Sequence, residues 1–581
     1  MSDSEDQKNK PAGMSGGLTN YGDAGFSLFL RKAFIKAMGY SEDALNRTVV
    51  GIVDTGSGYN ACHRNAPEII EAVKRGVMLQ GGLPISFPTI SLHESFSHPT
   101  SMFLRNLMAM DTEEMIRAQP MDAVVMIGGC DKTVPAQLMA AVSAGVPAIE
   151  VVTGPMMTGS YEGERLGACT DCRRFWGLYR AGEVSEPEIE EIGGKLAPTA
   201  GTCMVMGTAS TMACMTEALG MMLPGGAAIP AVAADRLRHA EAAGARAVGM
   251  AQEKLTPGQI ITPESIANAF RIMLAIGGST NGLVHMTAIA GRLGVEVDLE
   301  ALDAMGRETP VLVDLKPSGQ HYMEDLEKAG GLTTVLRELR HLLNLDCLTV
   351  TGKTLGENID AAPPSWAQDV VRPFSDPLYA EGGVAVLRGN LAPDGAIVKQ
   401  SAATPELMQA EGRAVVFDSL ADLATRIDDD DLDVNADDFL ILRNAGPKGA
   451  PGMPESGYIP IPKKLAMAGV KDMVRMSDAR MSGTAFGSIV LHIAPEAAVG
   501  GPLALVETGD RIRLDVPARS LELLVEDAEL TRRRADWTPP PPHTGAERGY
   551  LKLYLDHVNQ APEGVDFDFL TRSPTGAKTP V

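Results

Sequence analysis

Between about residues 45 and 155 the chain alternates short apolar runs with longer amphipathic stretches, and few folds satisfy that alternation. Runs at 48–55, 85–91, 123–127 and 148–153 have the length and β-branched content of strands. Stretches at 67–80, 101–118 and 135–144 have the apolar spacing of helices between them. This pattern predicts an α/β fold with a largely parallel sheet covered by helices on both faces. Helical stretches dominate from 185 to about 345. Beyond the Pro-rich segment 361–377 the pattern changes to short β-like runs at 384–387, 414–417, 439–442, 488–492 and 511–516, the spacing of a barrel or sandwich. The expected organisation is an N-terminal α/β domain over 1–375 and a C-terminal β-barrel-like domain over 376–581. Residues 1–20 read as a loose polar arm. The tail after Trp537, with its prolines at 539–542, reads as an extended wrap or docking arm.

Charge narrows the function. The 581 residues carry 74 acidic against 51 basic side chains, a formal charge of −23. Such a surface repels nucleic-acid phosphates and anionic lipid, so neither is expected as a partner. An anionic substrate would need a local cation to hold it. No apolar run approaches the roughly 18–20 residues of a membrane span, and the polar start shows no signal peptide. Seven cysteines are an odd, sparse set for so long a chain, which points to a reducing cytoplasm where thiols are free to be ligands.

The most informative stretch is Met126-Ile-Gly-Gly-Cys-Asp-Lys-Thr-Val-Pro-Ala136. An apolar strand ends in two glycines, and Cys130, Asp131 and Lys132 follow just before a helix. In open α/β sheets ligands bind at such carboxyl ends. Cys130 offers a soft ligand, Asp131 a hard oxygen and Lys132 a cation or modifiable amine. Cys62 follows the polar loop Asp54-Thr-Gly-Ser-Gly-Tyr-Asn-Ala61, and Cys203 lies in a small-residue loop leading into a helix. Three cysteines in three loops do not make a zinc ribbon, which needs paired knuckles. They can converge on an iron–sulfur cluster with one iron short of a thiolate, or they are three buried core cysteines; spacing alone leaves both open. Cys169 and Cys172 form the single Cys-x-x-Cys pair, lack the second pair a zinc site needs, and are read as non-catalytic. Cys214 and Cys347 read as core.

Glu94 stands straight after a strand, and Glu455 lies in a Pro/Gly-rich loop. With Asp131 they would supply the oxygen shell that Mg²⁺ prefers. The loop Arg475-Met-Ser-Asp-Ala-Arg-Met-Ser-Gly-Thr-Ala485 offers Ser482 as nucleophile, donor or, beside a metal, base. The segment Gly277-Gly-Ser-Thr-Asn281 is expected to present backbone N–H groups to an anion.

Together these segments resemble the dihydroxy-acid and sugar-acid dehydratase family, over about residues 45–575. The most specific carrier is Cys130-Asp-Lys-Thr-Val-Pro-Ala-Gln-Leu-Met-Ala140, backed by the motifs at 201–210, 277–281, 383–394 and 446–453. The resemblance implies that Cys62, Cys130 and Cys203 hold an iron–sulfur cluster, of the 2Fe-2S type where a cysteine stands at the position of Cys62. It implies Mg²⁺ on Glu94, Asp131 and Glu455, completed by Lys132, which is carbamylated in some relatives. Ser482 matches the proposed alkoxide base, and a homodimer or homotetramer is expected.

The implied reaction is loss of water from a 2,3-dihydroxy carboxylate to give a 2-oxo-3-deoxy acid. The loop before Cys62, the stretch carrying His93 and His98, and Ala479 in the serine loop depart from common family versions. Ala479 and the overall pattern favour the aldonate branch, with a pentonate such as arabinonate or xylonate, or a hexonate, as substrate. Dihydroxyisovalerate of branched-chain amino-acid synthesis is the alternative. A non-catalytic iron–sulfur electron carrier is the reading from another class, and electron transfer needs neither the carboxylates nor Ser482.

Overall fold

The computed structural model describes residues 12–18, 21–573, 576, 578 and 579. Four parallel strands, β1 (Val49–Asp54), β2 (Leu83–Pro88), β3 (Ala123–Gly128) and β4 (Ala148–Val152), form a sheet in the order β2-β1-β3-β4. Every residue of β3 is buried, as its unbroken apolar run requires of a central strand. The expected strand at 85–91 lies earlier, at Leu83–Pro88. It is an edge strand, where its prolines at 84 and 88 are tolerated. On one face the helices Ala66–Leu79 and Ala234–Glu253 pack together at backbone contact. A Cβ on Gly76 would stand 1.9 Å from the Glu241 carbonyl oxygen, so only glycine permits this crossing. Further along, Pro263–Ala275 and Asn281–Gly291 are buried on nearly every side and read accordingly as apolar all round. A small hairpin, β5 (Gly159–Tyr161) and β6 (Glu164–Leu166), lies against the helix Glu186–Lys195.

The C-terminal part is a closed eight-stranded barrel in the order β10-β11-β12-β8-β7-β14-β13-β9. Its strands are β7 (Ala385–Gly389), β8 (Ala392–Val398), β9 (Gln409–Phe417), β10 (Phe439–Leu442), β11 (Arg475–Ser477), β12 (Ile489–Ala494), β13 (Arg511–Asp515) and β14 (Ser520–Leu523). All five expected runs are present. The unanticipated β8, β11 and β14 either begin with Pro-Asp-Gly, a turn signal, or run only three or four residues. Leu387, Val398, Met476, Val490, Ile512 and Leu521 fill the interior.

The tail docks as expected, but through a helix rather than as an extended arm. Residues 539–542 are irregular, but they lie between two helices, Asp527–Asp536 and Gly549–His557. The second returns to the N-terminal part: Tyr554 and Phe567 pack on Phe103 and Val284, and Tyr550 donates to the Phe103 carbonyl at 2.8 Å. Of the expected N-terminal arm, residues 1–11, 19 and 20 lie outside the described residues. The described part turns at Gly13–Ser15 and buries Met14 against Ile35, Val49 and Leu83. Among the described residues no helix is long and apolar enough to cross a membrane.

Candidate active site

The expected ligand residues sit on loops that leave the sheet at one edge. Cys62 lies in the turn Ala61–His63 after β1, Glu94 opens the turn Glu94–Phe96 after β2, and Cys130, Asp131 and Lys132 separate β3 from the helix Thr133–Ala144. Cys203 is pinned to the end of β4 by its neighbour Thr202, whose N–H donates to Gly154 O and whose carbonyl accepts from Met156 N, both at 2.9 Å. Two loops are stitched by one imidazole. Burial holds the His63 pKa down to about 4, so the ring is neutral. One nitrogen then donates and the other accepts: Nδ1–H to the Thr55 carbonyl, Nε2 from Cys130 N–H, each at 3.0 Å.

Thiols and carboxylates converge. The ligating atoms of Cys62, Cys130 and His93 lie within 4.8 Å of one another, as do carboxylate oxygens of Glu94, Asp131 and Glu455. Cys62, Cys130, Cys203, the three carboxylates and Ser482 all line one cavity of about 1240 Å³. Lys132, fully buried, aims Nζ into the carboxylates, 2.6 Å from Asp131, 3.4 Å from Glu94 and 3.6 Å from Glu455. Burial works against its charge, but the surrounding carboxylates outweigh it and hold the ammonium above its usual range. Burial likewise opposes ionisation of Glu94, yet Lys132, Arg480 and the hydroxyls of Ser101 and Thr100 hold it down to about 2. Glu455 is shifted up instead, by burial and by the charges of Glu94 and Asp131. Three carboxylates share two buried cations, Lys132 and Arg480, so one negative charge is left over, which is the condition a divalent ion relieves.

Glu455 and Ser482 come from the barrel part, so the site forms only where the two parts of the chain meet. The N-terminal part grips the serine loop. Asn281 Nδ2 donates to the Met481 carbonyl at 3.1 Å, and Thr170 Oγ1 to the Thr484 carbonyl at 2.9 Å. A Cβ on Gly483 would meet Ser279 Cβ at 2.5 Å, so glycine lets the loop dock flat. Within the barrel part, buried Lys399 donates to the Gly483 carbonyl at 3.0 Å. Ser482 Oγ is 2.8 Å from Thr484 Oγ1, which accepts from Arg173 at 2.8 Å. With Arg173 donating, the Thr484 hydroxyl proton is free to point at Ser482.

Family models match along both parts: the dihydroxy-acid/6-phosphogluconate dehydratase N-terminal model over residues 47–358 and its C-terminal counterpart over 369–565. The chain belongs to this family. It is 48% identical over 560 residues to an L-arabonate dehydratase of Azospirillum brasilense, covering 95% of this chain and 96% of that one. A 6-deoxy-6-sulfo-D-gluconate dehydratase of Pseudomonas putida is 44% identical over 543 residues, 93% of each chain. A dihydroxy-acid dehydratase of Syntrophobacter fumaroxidans is 39% identical over 540 residues, 92% of this chain and 96% of that one. The protein is therefore a hydro-lyase of the dehydratase family, which works with an iron–sulfur cluster and Mg²⁺.

The donor sets of this dehydratase suit both groups. Cys62 is pushed up by the neighbouring Cys130 thiol and by burial, and Cys203 by Cys169 and burial, so thiolates there call for a cation among them. For Mg²⁺, the Lys132 ammonium already marks a cation position among the oxygens.

Three site features were missed in the sequence. The 277–281 loop spends backbone N–H groups internally, Gly278 on Met273 and Ser279 on Thr211, so the expected anion nest is not there. Its contribution is the Asn281 side chain, 3.2 Å from Glu455. Arg480, fully buried, pairs with Glu455 at 3.2 Å and donates to the Met453 carbonyl at 2.6 Å. Cys169 and Cys172, read as non-catalytic, lie in the wall of the same cavity. An Arg between two apolar residues, Ala479 and Met481, was the signal for Arg480; nothing local announced the other two.

Proposed function

We propose that this dehydratase acts on a 2,3-dihydroxy sugar acid, a pentonate such as arabinonate or xylonate or a hexonate, releasing water to leave a 2-oxo-3-deoxy acid. The observation that carries this reading is the single cavity onto which the thiols, the carboxylates and Ser482 all open. Two of the relatives above, at 48% and 44% identity, are named for sugar-acid dehydration, against 39% for the dihydroxy-acid dehydratase. At about 1240 Å³ the cavity also has room for acids of five or six carbons.

In this reading Cys62, Cys130 and Cys203 hold a 2Fe-2S cluster, and Glu94, Asp131 and Glu455 hold Mg²⁺ with Lys132. When bound, the cluster supplies a Lewis acid for the departing C3 hydroxyl and Mg²⁺ a second cation for the carboxylate end. Lys132 as an ammonium competes with Mg²⁺ for the same oxygens; as a carbamate it would join them as a ligand. Ser482 takes the C2 proton. A serine hydroxyl is too weak a base unaided, and the Arg173–Thr484–Ser482 relay stabilises negative charge on its oxygen. Asn281 and Arg480 keep Glu455 aimed into the site. The same reading places the domain boundary near residue 375, the protein in a reducing cytoplasm, and the chain in a homodimer or homotetramer.

The test is 2-oxo acid formation by anaerobically purified protein with Mg²⁺, across pentonates, hexonates, glycerate and dihydroxyisovalerate, with iron and sulfide assayed on the same sample. One sugar acid turned over far above the rest is the expected result. Preference for dihydroxyisovalerate would move the chain to the branched-chain reaction, and a full cluster without turnover of any acid would leave an electron carrier. Ser482→Ala should lower turnover by about 10²–10⁴-fold, the worth of a positioned base, while the visible absorption of the cluster stays. Loss of the colour would make Ser482 structural.

A further inference from the structure

We propose that Arg173 selects the substrate by its tail: the guanidinium takes the hydroxyl oxygens on C4 and C5, so an acid with a polyol tail is preferred to one with an alkyl tail. This deepens the sugar-acid reading above and rests on it. Three arginines line the cavity, and two of them are already neutralised. Arg174 pairs with Asp171 at 2.9 Å and Glu164 at 2.7 Å, and Arg180 with Asp428 at 2.5 Å. Arg173 has no carboxylate partner among the described residues. Its Nη1 is engaged, on the Cys169 carbonyl at 3.2 Å and on Thr484 Oγ1 at 2.8 Å. Nε–H and Nη2–H, which form one edge of the guanidinium fork, donate to nothing among the described residues, although Arg173 is half-buried in the cavity wall. Two donors at fixed spacing suit two oxygens side by side, as neighbouring hydroxyls of a sugar acid present them. An alkyl tail offers no acceptor and would strand both donors out of water.

The guanidinium is held where such a tail would lie. Arg173 stands near the start of the helix Thr170–Arg180, whose first residues are tied down: Thr170 Oγ1 donates to the Thr484 carbonyl at 2.9 Å, and Asp171 accepts from Gly167 N at 2.7 Å. Its Cζ lies over the Tyr458 ring, 5.3 Å from the centroid, a cation–π contact with the residue that follows the turn Glu455–Gly457. Thr484 Oγ1 is in turn 2.8 Å from Ser482 Oγ, so Arg173 is two hydrogen bonds from the base. With the substrate carboxylate among Glu94, Asp131 and Glu455 and C2 at Ser482, C4 and C5 are two and three bonds further on, on the way to the fork. One guanidinium then has two tasks: Nη1 supports Ser482 through Thr484, and the Nε–Nη2 edge holds the tail.

The test compares a pentonate with 2,3-dihydroxypentanoate of the same C2 and C3 configuration, which lacks the C4 and C5 hydroxyls and is otherwise identical. The kcat/KM on both acids is measured with anaerobic holoprotein in the wild type and in Arg173→Met, Arg173→Lys and Thr484→Val. Affinity for both acids is read by isothermal titration in a Ser482→Ala background, where turnover is suppressed. The wild type should favour the pentonate by about 10–100-fold, the worth of hydrogen bonds to a charged donor. Arg173→Met should bring that ratio close to one, in kcat/KM and in affinity. Arg173→Lys, which serves should the first variant fail to fold, should keep only part of the ratio, because an ammonium lacks the fork. Thr484→Val cuts the link to Ser482 and leaves the fork in place, so it should slow both acids alike and keep the wild-type ratio. An unchanged ratio in both Arg173 variants overturns the inference, since Arg173 then acts through Ser482 alone, and so does a wild type that handles the two acids equally. A wild-type holoprotein that turns over dihydroxyisovalerate but no pentonate or hexonate overturns the sugar-acid reading itself, which separates the two failures.

Discussion

Lys399 shows how one buried side chain ties stability to the serine loop. It is fully buried, its charge has no anionic partner among the described residues, and it donates to the carbonyl of Gly483, next to Ser482. Burial pulls its pKa down to about 7, whereas an unfolded lysine stays protonated to about 10.4. Between these values the unfolded chain binds more protons than the folded one, so raising the pH favours the fold; below about 7 the cost of burying the charge is fully present. Lys399→Met removes that slope and leaves the Gly483 carbonyl unpaired, a loss of about 1–3 kcal/mol. Melting curves at pH 7 and pH 9.5 should therefore show the wild type gaining on the variant as pH rises. Parallel shifts would mean that the amine titrates as if in water. Nothing in the run Val398-Lys-Gln-Ser401 announces this lysine as buried, because a lone Lys after a strand is usually solvated. Cys130, Asp131 and Lys132 were legible as a site, since three chemically unlike ligands follow one buried strand.

Among elements, the helix pair Ala66–Leu79 and Ala234–Glu253 has the narrowest tolerance. Gly76 meets the backbone near Glu241, and a Cβ on Gly244 would stand 2.3 Å from the Val73 carbonyl oxygen. Because the obstacle is backbone, Gly76→Ala has to push the helices apart. Overpacking of this kind costs about 1–3 kcal/mol, so the variant should unfold at lower denaturant while keeping helical content. A midpoint equal to the wild type's would mean that the pair slides freely. The strands and helices of the first 155 residues were readable because each carries a strong period of its own. The short barrel strands β11 and β14 were not, since three or four residues carry no period and are extended only because their neighbours pair with them.

The whole molecule is fastened by its C-terminal residues, which return across the chain to the N-terminal part. Arg292 and Asp566, both fully buried, pair through two bonds at 2.7 and 3.1 Å, and Arg105 donates to the carbonyls of Gly564 and Val565 at 2.9 Å. Removing one member of a buried pair strands the other, at a cost of about 3–5 kcal/mol. Asp566→Ala should accordingly lower the unfolding midpoint markedly, and Arg292→Met combined with Asp566→Leu should recover much of it. Equal loss in the double variant would show that the residues act through packing alone. This closure also steadies the site, because the loop bearing Glu455 is held by Tyr554, whose hydroxyl accepts from Gly452 N at 3.1 Å. By itself the sequence determined the parallel sheet, the presence of a β-rich second part, and the residue types of two ligand sets, since strand periods and local chemistry are written in neighbouring residues. Only the tertiary structure decided that Glu455 meets Asp131 across the two parts and Ser482 opens onto the same cavity, that Cys169 stands against Cys203, and that the tail folds back. Those contacts join positions tens to hundreds of residues apart, and their geometry comes from packing that no local pattern encodes.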